Sequence, residues 1–153
     1  MIRIVSAALL ALALGAGPAW AMGSDDSSSS GGDSDYDRAV ELIEDEDYAA
    51  AEPLLEKVVA KEPKNADAWN WLGFVQRNLG RLDEAFASYN EALLIDPEHD
   101  GANEYLGELY LMTGDLEKAE AQLEILDSNC SFSCDERDQL EAAIEAFKKK
   151  QGS

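Results

Sequence analysis

The sequence contains few basic residues, with 12 lysines and arginines against 32 aspartates and glutamates, and its formal net charge is −20. Such an excess of carboxylates repels phosphate backbones and anionic lipid headgroups. Binding to nucleic acid or to an acidic membrane is therefore excluded as a function, whereas a basic protein partner is left open. Disorder of the whole chain is also excluded, because 46% hydrophobic residues are enough to build a core.

Residue types that carry catalysis or bind metals are scarce as well. The chain has one histidine and two cysteines, and it lacks both a Gly-x-Ser-x-Gly elbow and a glycine loop that could bind phosphate. A metal site needs more ligands than two thiols and the lone His99. We therefore expect no enzyme activity, no cofactor and no metal, and we interpret most carboxylates as a solvated surface.

The longest apolar stretch lies at the N-terminus, where Arg3 precedes the run from Ile4 to Leu14 and Ala19-Trp20-Ala21 follows it. This order is typical of a signal peptide with an A-x-A cleavage site. The run is shorter than the roughly 20 residues that a membrane-spanning helix needs. Residues 1–21 are therefore predicted to be removed near Ala21, leaving a periplasmic or secreted protein without stable membrane insertion. Residues 22–34 are rich in serine, glycine and aspartate, and we expect a flexible leader there.

From residue 35 onward, shifting the chain by 34 residues aligns apolar and small residues over nearly three copies. Apolar spacing of three and four residues within each half copy predicts two amphipathic helices per copy. Asn65 is a predicted N-cap, Gly80 and Gly114 are predicted stops, and Pro63 and Pro97 close the first two copies. The small residues that recur in register allow the two helices to approach closely, and they are Ala39, Gly73 and Gly107, with Ala51, Ala85 and Ala119.

The second copy resembles a tetratricopeptide repeat (TPR) at nearly every signature position, which here are Trp69, Leu72, Gly73, Gly80, Ala85, Tyr89, Ala92 and Pro97. The resemblance covers about 100 residues and implies an all-α, right-handed solenoid of three helix-turn-helix repeats. The implied repeats lie at about 35–65, 66–99 and 100–131, and a capping helix lies at about 135–149.

The first copy departs from the TPR pattern. Arg38 replaces the expected leucine, Glu46 replaces the turn glycine, and Pro53 falls in the second helix. We place that proline within the first turn, where a helix tolerates it.

The two cysteines, Cys130 and Cys134, flank Ser131, which stands where the earlier copies have proline. An even number of cysteines in an exported protein predicts a structural disulfide, which would stabilise the fold by roughly 2 kcal/mol. The alternative is a thiol-disulfide redox pair. It is less favoured, because the spacing is not C-x-x-C and the neighbouring Asp127 and Asp135 disfavour a reactive thiolate.

By the TPR resemblance, the first helix of each repeat lines a concave groove that binds partners. The groove contains no lysine, and Trp71 and Asp37 occupy positions that the family's carboxylate-binding members use, so we expect no carboxylate clamp. Its centre is aromatic and apolar, with Arg77 as the one cation. The implied partner-binding residues are Tyr36, Val40, Asn70, Trp71, Phe74, Arg77, Asn78, Tyr105, Glu108 and Met112, together with Ile43, Glu104 and Leu111.

Such a groove suits an apolar peptide segment or an amphipathic helix. We therefore interpret the chain as a non-catalytic interaction module, a TPR adaptor or assembly factor that binds another exported protein or peptide. A basic partner with an apolar segment is left open. Packing between repeats is the competing explanation for the groove residues. It is equally favoured for Phe74 and Leu111, whereas Trp71 and Tyr105 are predicted to be surface anchors. Weak self-association is left open, because three repeats and a cap are about the minimum for a stable solenoid.

Overall fold

The computed structural model describes residues 34–131 and 134–152, and in these residues it contains α-helices and no strand. The all-α prediction is therefore confirmed, whereas the predicted signal peptide and nearly all of the leader lie outside the described residues. No described helix is both long and apolar enough to cross a bilayer. The helices are α1 (Ser34–Glu44), α2 (Tyr48–Lys61), α3 (Ala66–Asn78), α4 (Leu82–Ile95), α5 (Asp100–Thr113), α6 (Leu116–Asn129) and α7 (Asp135–Gln151).

The helices form three consecutive pairs, α1 with α2, α3 with α4 and α5 with α6, and α7 packs on both α5 and α6. Each first helix also contacts the next one, so that α1, α3, α5 and α7 form a continuous row. Within the described residues the second helices α2, α4 and α6 make no contact with one another. The first helices therefore lie on the inner side of the array and the second helices on the outer side, which confirms the predicted solenoid.

The helix boundaries follow local sequence signals. The Asn65 side chain accepts a hydrogen bond from the Ala68 backbone N–H at 3.0 Å, so the predicted N-cap is confirmed. Gly80 and Gly114 adopt left-handed φ values of 78° and 86° at the ends of α3 and α5, as stops of this kind require. Glu46 occupies the corresponding turn after α1 and is held at a φ of 59°. The first repeat therefore makes the same turn without glycine.

Two predicted boundaries were wrong. Helix α1 begins at Ser34, one residue inside the segment that we assigned to the leader. Helix α2 begins at Tyr48, because the side chain of Asp47 caps it by accepting a hydrogen bond from the Ala50 N–H. Pro53 is therefore in the second turn of α2 rather than the first, and it leaves the Ala49 carbonyl without its helical donor. Both residues are exposed, so water can solvate that carbonyl.

Two glycines permit close packing of helices. A Cβ atom at Gly73 would lie 2.7 Å from two ring carbons of Tyr89, so the α3–α4 pair requires glycine there. A Cβ atom at Gly107 would lie 2.6 Å from a methyl carbon of Leu140, so α7 sits on α5 in the same close manner. Leu140 and Ile144 of α7 join Ala119 and Leu126 of α6 in one buried cluster. The last helix therefore covers the apolar side of the third repeat.

Cys130 follows α6 and Cys134 precedes α7, and their Cα atoms lie 5.9 Å apart. This separation falls within the range that a disulfide bridges. A bond there would hold the turn between the third repeat and the last helix.

The lone His99 caps a helix. Its Nδ1 atom accepts a hydrogen bond from the Ala102 N–H at 3.1 Å, at the start of α5.

Candidate peptide-binding groove

The inner side of α1, α3, α5 and α7 is called the groove face below. It contains most of the predicted partner-binding residues at different depths. Tyr36, Val40, Trp71, Phe74, Tyr105 and Leu111 are half-buried, whereas Asn78 and Met112 are exposed. Met112 is 58% exposed.

A row of aromatic rings connects the three repeats across the groove face. The Phe74 ring lies 5.5 Å from Trp71, 5.1 Å from Tyr105 and 6.0 Å from Tyr48, measured between ring centroids. Trp71 packs against the core of the first and second repeats. Tyr105 packs against the core that the second and third repeats share. Both predicted anchors therefore contribute to packing between repeats and also present part of each ring at the surface.

Arg77 was predicted to be the one cation of the groove, and the structure shows that its charge is paired within the chain. Its Nη1 atom donates a hydrogen bond to the Glu108 carboxylate of the next repeat. Its guanidinium lies 5.5 Å from the Phe74 ring centroid and 5.2 Å from that of Tyr105. Its side chain is only 12% exposed, so it links two repeats and its charge is already matched. This pairing was not predicted, because Glu108 is 31 positions away in the sequence.

Asn70 and Glu104, which occupy equivalent positions in successive repeats, are buried at 5% and 3% exposure. The Oδ1 atom of Asn70 has no hydrogen-bond partner among the described residues. Burial, together with the nearby carboxylates of Glu108 and Glu136, raises the pKa of Glu104 to about 7, and the Arg77 guanidinium opposes this only in part. The implied role of both residues as open groove contacts was therefore wrong, because the neighbouring helices cover them.

A pocket of about 470 Å³ opens on the groove face between α5 and α7. We call it the cap pocket. Apolar side chains of α5 and α7 form most of its lining, and the Arg77–Glu108 pair and the exposed Lys150 supply its charged groups. The full lining is Arg77, Glu108, Leu111, Met112, Ala143, Ala146, Phe147 and Lys150.

Two models of the tetratricopeptide repeat match the sequence, one over residues 36–99 and the other over residues 79–129. Together they span residues 36–129, which is more than half of the 153 residues. The chain belongs to the tetratricopeptide repeat family. The predicted TPR resemblance is thereby confirmed, including for the first repeat with its unusual turn and proline.

Solved TPR structures share this fold. The type III secretion translocator chaperone SycD of Yersinia enterocolitica superposes with a TM-score of 0.70 at 19% identity, over 78% of this chain and 84% of that one. PcrH, solved in complex with the chaperone binding region of PopD, gives a TM-score of 0.68 at 18% identity, over 76% and 90%. The Sgt2 TPR domain of Aspergillus fumigatus gives 0.64 at 18% identity, over 77% of each chain. No curated protein is significantly similar to this chain.

The cap pocket is the part of the TPR groove face that sequence reasoning missed. The lysines at 148–150 also suit the C-terminus of a helix, and Phe147 also suits the buried face of an amphipathic helix, so neither alone indicates a pocket. The signal was present, because Ala143 and Ala146 are small residues on the same side of α7 as Phe147. The position of α7 against α5 was needed to show that these alanines leave space. No cluster of three potential metal ligands occurs in residues 34–131 and 134–152.

Proposed function

We propose that this chain is a non-catalytic TPR adaptor or assembly factor that binds a peptide or helix of another exported protein on its groove face. It would do so in the periplasm or outside the cell, after cleavage near Ala21. The observation that carries the proposal is the row of aromatic and apolar side chains that the groove face presents, from the half-buried Trp71 and Phe74 to the exposed Met112. Aromatic side chains that are anchored by packing on one side and open on the other are the residues that dominate binding energy at interfaces.

Proteins of the same fold support a peptide as the partner. SycD has been solved with a peptide of the translocator YopD, and PcrH with the chaperone binding region of PopD. Both are less than 25% identical to this chain, so they support the class of partner and not its identity.

The charge of the chain supports a basic partner with an apolar segment. The carboxylates of Asp37 and Glu44 are exposed on α1, and neither has an ion-pair partner in the described part of the chain. They are part of the net charge of −20. This negative charge would raise the rate of association with a basic protein. The apolar centre of the groove face would then supply most of the affinity.

The proposal is tested by capturing partners from periplasmic extract with the immobilised chain of residues 22–153 and comparing variants. We expect Trp71→Ala to lower the capture of any specific partner at least tenfold, because the loss of an interface tryptophan typically costs about 2 kcal/mol or more. The matched control is Leu94→Ala, which removes a side chain that is 76% exposed on the outer helix α4. Circular dichroism must show that both variants stay helical.

The proposal would be refuted if Trp71→Ala, still fully helical, retained every saturable partner. It would be refuted equally if Leu94→Ala lost the same partners, because binding would then use the outer surface.

A further inference from the structure

The cap pocket has the size and composition of a binding site. Its volume of about 470 Å³ lies within the range of roughly 300–1,000 Å³ that is common for ligand sites. The space exists because Ala143 and Ala146 of α7 face the larger side chains Leu111 and Met112 of α5. Met112 is flexible and can adapt to a ligand. A large aliphatic or aromatic side chain fits this environment.

Lys150 supplies the charge of this pocket. It follows Ala146 by four residues and Phe147 by three, so it lies on the same side of α7, over the pocket mouth. Most basic side chains of the described residues already pair with carboxylates of the chain, and these are Arg38, Lys61, Arg77, Arg81, Lys118, Arg137 and Lys148. Lys150 has no such ion pair within residues 34–131 and 134–152.

We propose that the cap pocket binds a large apolar side chain of the partner segment, and that a glutamate or aspartate within one helical turn of this side chain pairs with Lys150. This proposal rests on the proposed function and specifies it. The complementary group to an unpaired ammonium at the rim of an apolar pocket is a carboxylate attached next to an apolar anchor. The partner is therefore basic overall and acidic at this one position.

Whether a glutamate in the partner peptide strengthens or weakens binding distinguishes this proposal from general electrostatic attraction. A chain with a net charge of −20 repels any added carboxylate, so a glutamate in a peptide should weaken binding unless a specific cation receives it. The simpler explanation of Lys150 is that a cation stabilises the C-terminus of α7. That role would affect the stability of α7 but would not make the chain prefer a glutamate peptide.

The probes are two labelled, amphipathic 18-residue peptides with a leucine face and several lysines. They differ only in one residue, four positions after the central leucine, which is glutamate in one peptide and glutamine in the other. Both are acetylated and amidated, so that neither carries a terminal carboxylate. We expect the chain to bind the glutamate peptide about threefold to fivefold more tightly in fluorescence anisotropy, which is the range of a single partly exposed ion pair.

Two variants locate this preference. Lys150→Gln should abolish this preference by weakening the binding of the glutamate peptide, whereas Lys57→Gln, on α2, should keep the preference. Ala146→Phe fills the pocket and should weaken both peptides at least tenfold. Its matched control is Ala121→Phe, at an exposed alanine of α6, which should change neither affinity.

The proposal is wrong if the glutamine peptide binds as tightly as the glutamate peptide, if neither binds, or if Ala146→Phe has no effect. If Trp71→Ala weakens the peptides while Ala146→Phe does not, the groove function stands and the cap pocket is not its anchor. If neither variant weakens them, the cap-pocket proposal fails, and the capture experiment with Trp71→Ala decides the groove function separately.

Discussion

The buried carboxyl group of Glu104 should make the stability of the fold depend on pH. Glu104 is 3% exposed on α5, and Glu108 on the same helix, Glu136 on α7 and Arg77 on α3 are the charged groups that act on it. Its pKa in the folded chain is about 7, above its ordinary value of 4.5. Between these two pH values the folded chain keeps a proton on Glu104 that the unfolded chain releases. The free energy of unfolding therefore falls as the pH rises through this window.

The size of the effect follows from the raised pKa. Each unit of pKa difference between the folded and unfolded states corresponds to about 1.4 kcal/mol, which sets an upper limit of about 3 kcal/mol above pH 7. Glu104→Gln places an uncharged side chain of nearly the same shape at this position. We expect this variant to be more stable than the parent by about 1–3 kcal/mol at pH 8 and by less than about 1 kcal/mol at pH 5.

The measurement is urea unfolding followed by circular dichroism at pH 5 and pH 8. Because the whole chain is acidic, every carboxylate that is removed relieves some repulsion at high pH. Glu124→Gln controls for this general effect, since Glu124 is exposed on α6, and it should differ from the parent by no more than about 0.5 kcal/mol at either pH. The reasoning is refuted if Glu104→Gln changes stability equally at both pH values, or if it destabilises the chain at pH 8.

Two further perturbations test the packing and the turn before α7. Gly73→Ala should lower the free energy of unfolding by about 1–3 kcal/mol in urea, because the new methyl group would lie 2.7 Å from the buried Tyr89 ring; a neutral result would show that this ring can move aside. Chain produced in an oxidising compartment should show no free thiol when titrated in denaturant, and reducing the Cys130–Cys134 bridge should cost about 2 kcal/mol. Two free thiols would contradict the bridge, and a bridge that is reduced easily in the folded chain would instead favour the redox alternative.

Features that repeat along the chain could be predicted from the sequence. The 34-residue period predicted the helix pairs, and it also predicted the glycine stops and the close approach at Gly73. These features depend on residues that are neighbours in sequence or equivalent in successive repeats. The position of Pro53 could also have been predicted correctly from local sequence. Asp47 is a recognisable N-cap six residues before Pro53, which puts the proline in the second turn of α2.

Features that depend on how one repeat meets the next could not be predicted. The pairing of Arg77 with Glu108 joins α3 to α5, and its partner cannot be selected from the many acids of this chain by spacing alone. The burial of Glu104 depends on its contacts with neighbouring helices. The cap pocket depends on α7, which follows the last copy of the period and so has no equivalent in the earlier repeats.

The middle repeat is the only connection between the two ends of the described solenoid. Within the described residues neither α1 nor α2 contacts α5, α6 or α7. Coupling by direct contact between an event at the first repeat and one at α7 therefore passes through α3 and α4. Phe74 is placed to transmit it, because its ring meets Tyr48 of the first repeat and Tyr105 of the third. Through direct contacts, a ligand that touches only one end of the groove influences the other end by shifting this central ring or the helices that hold it.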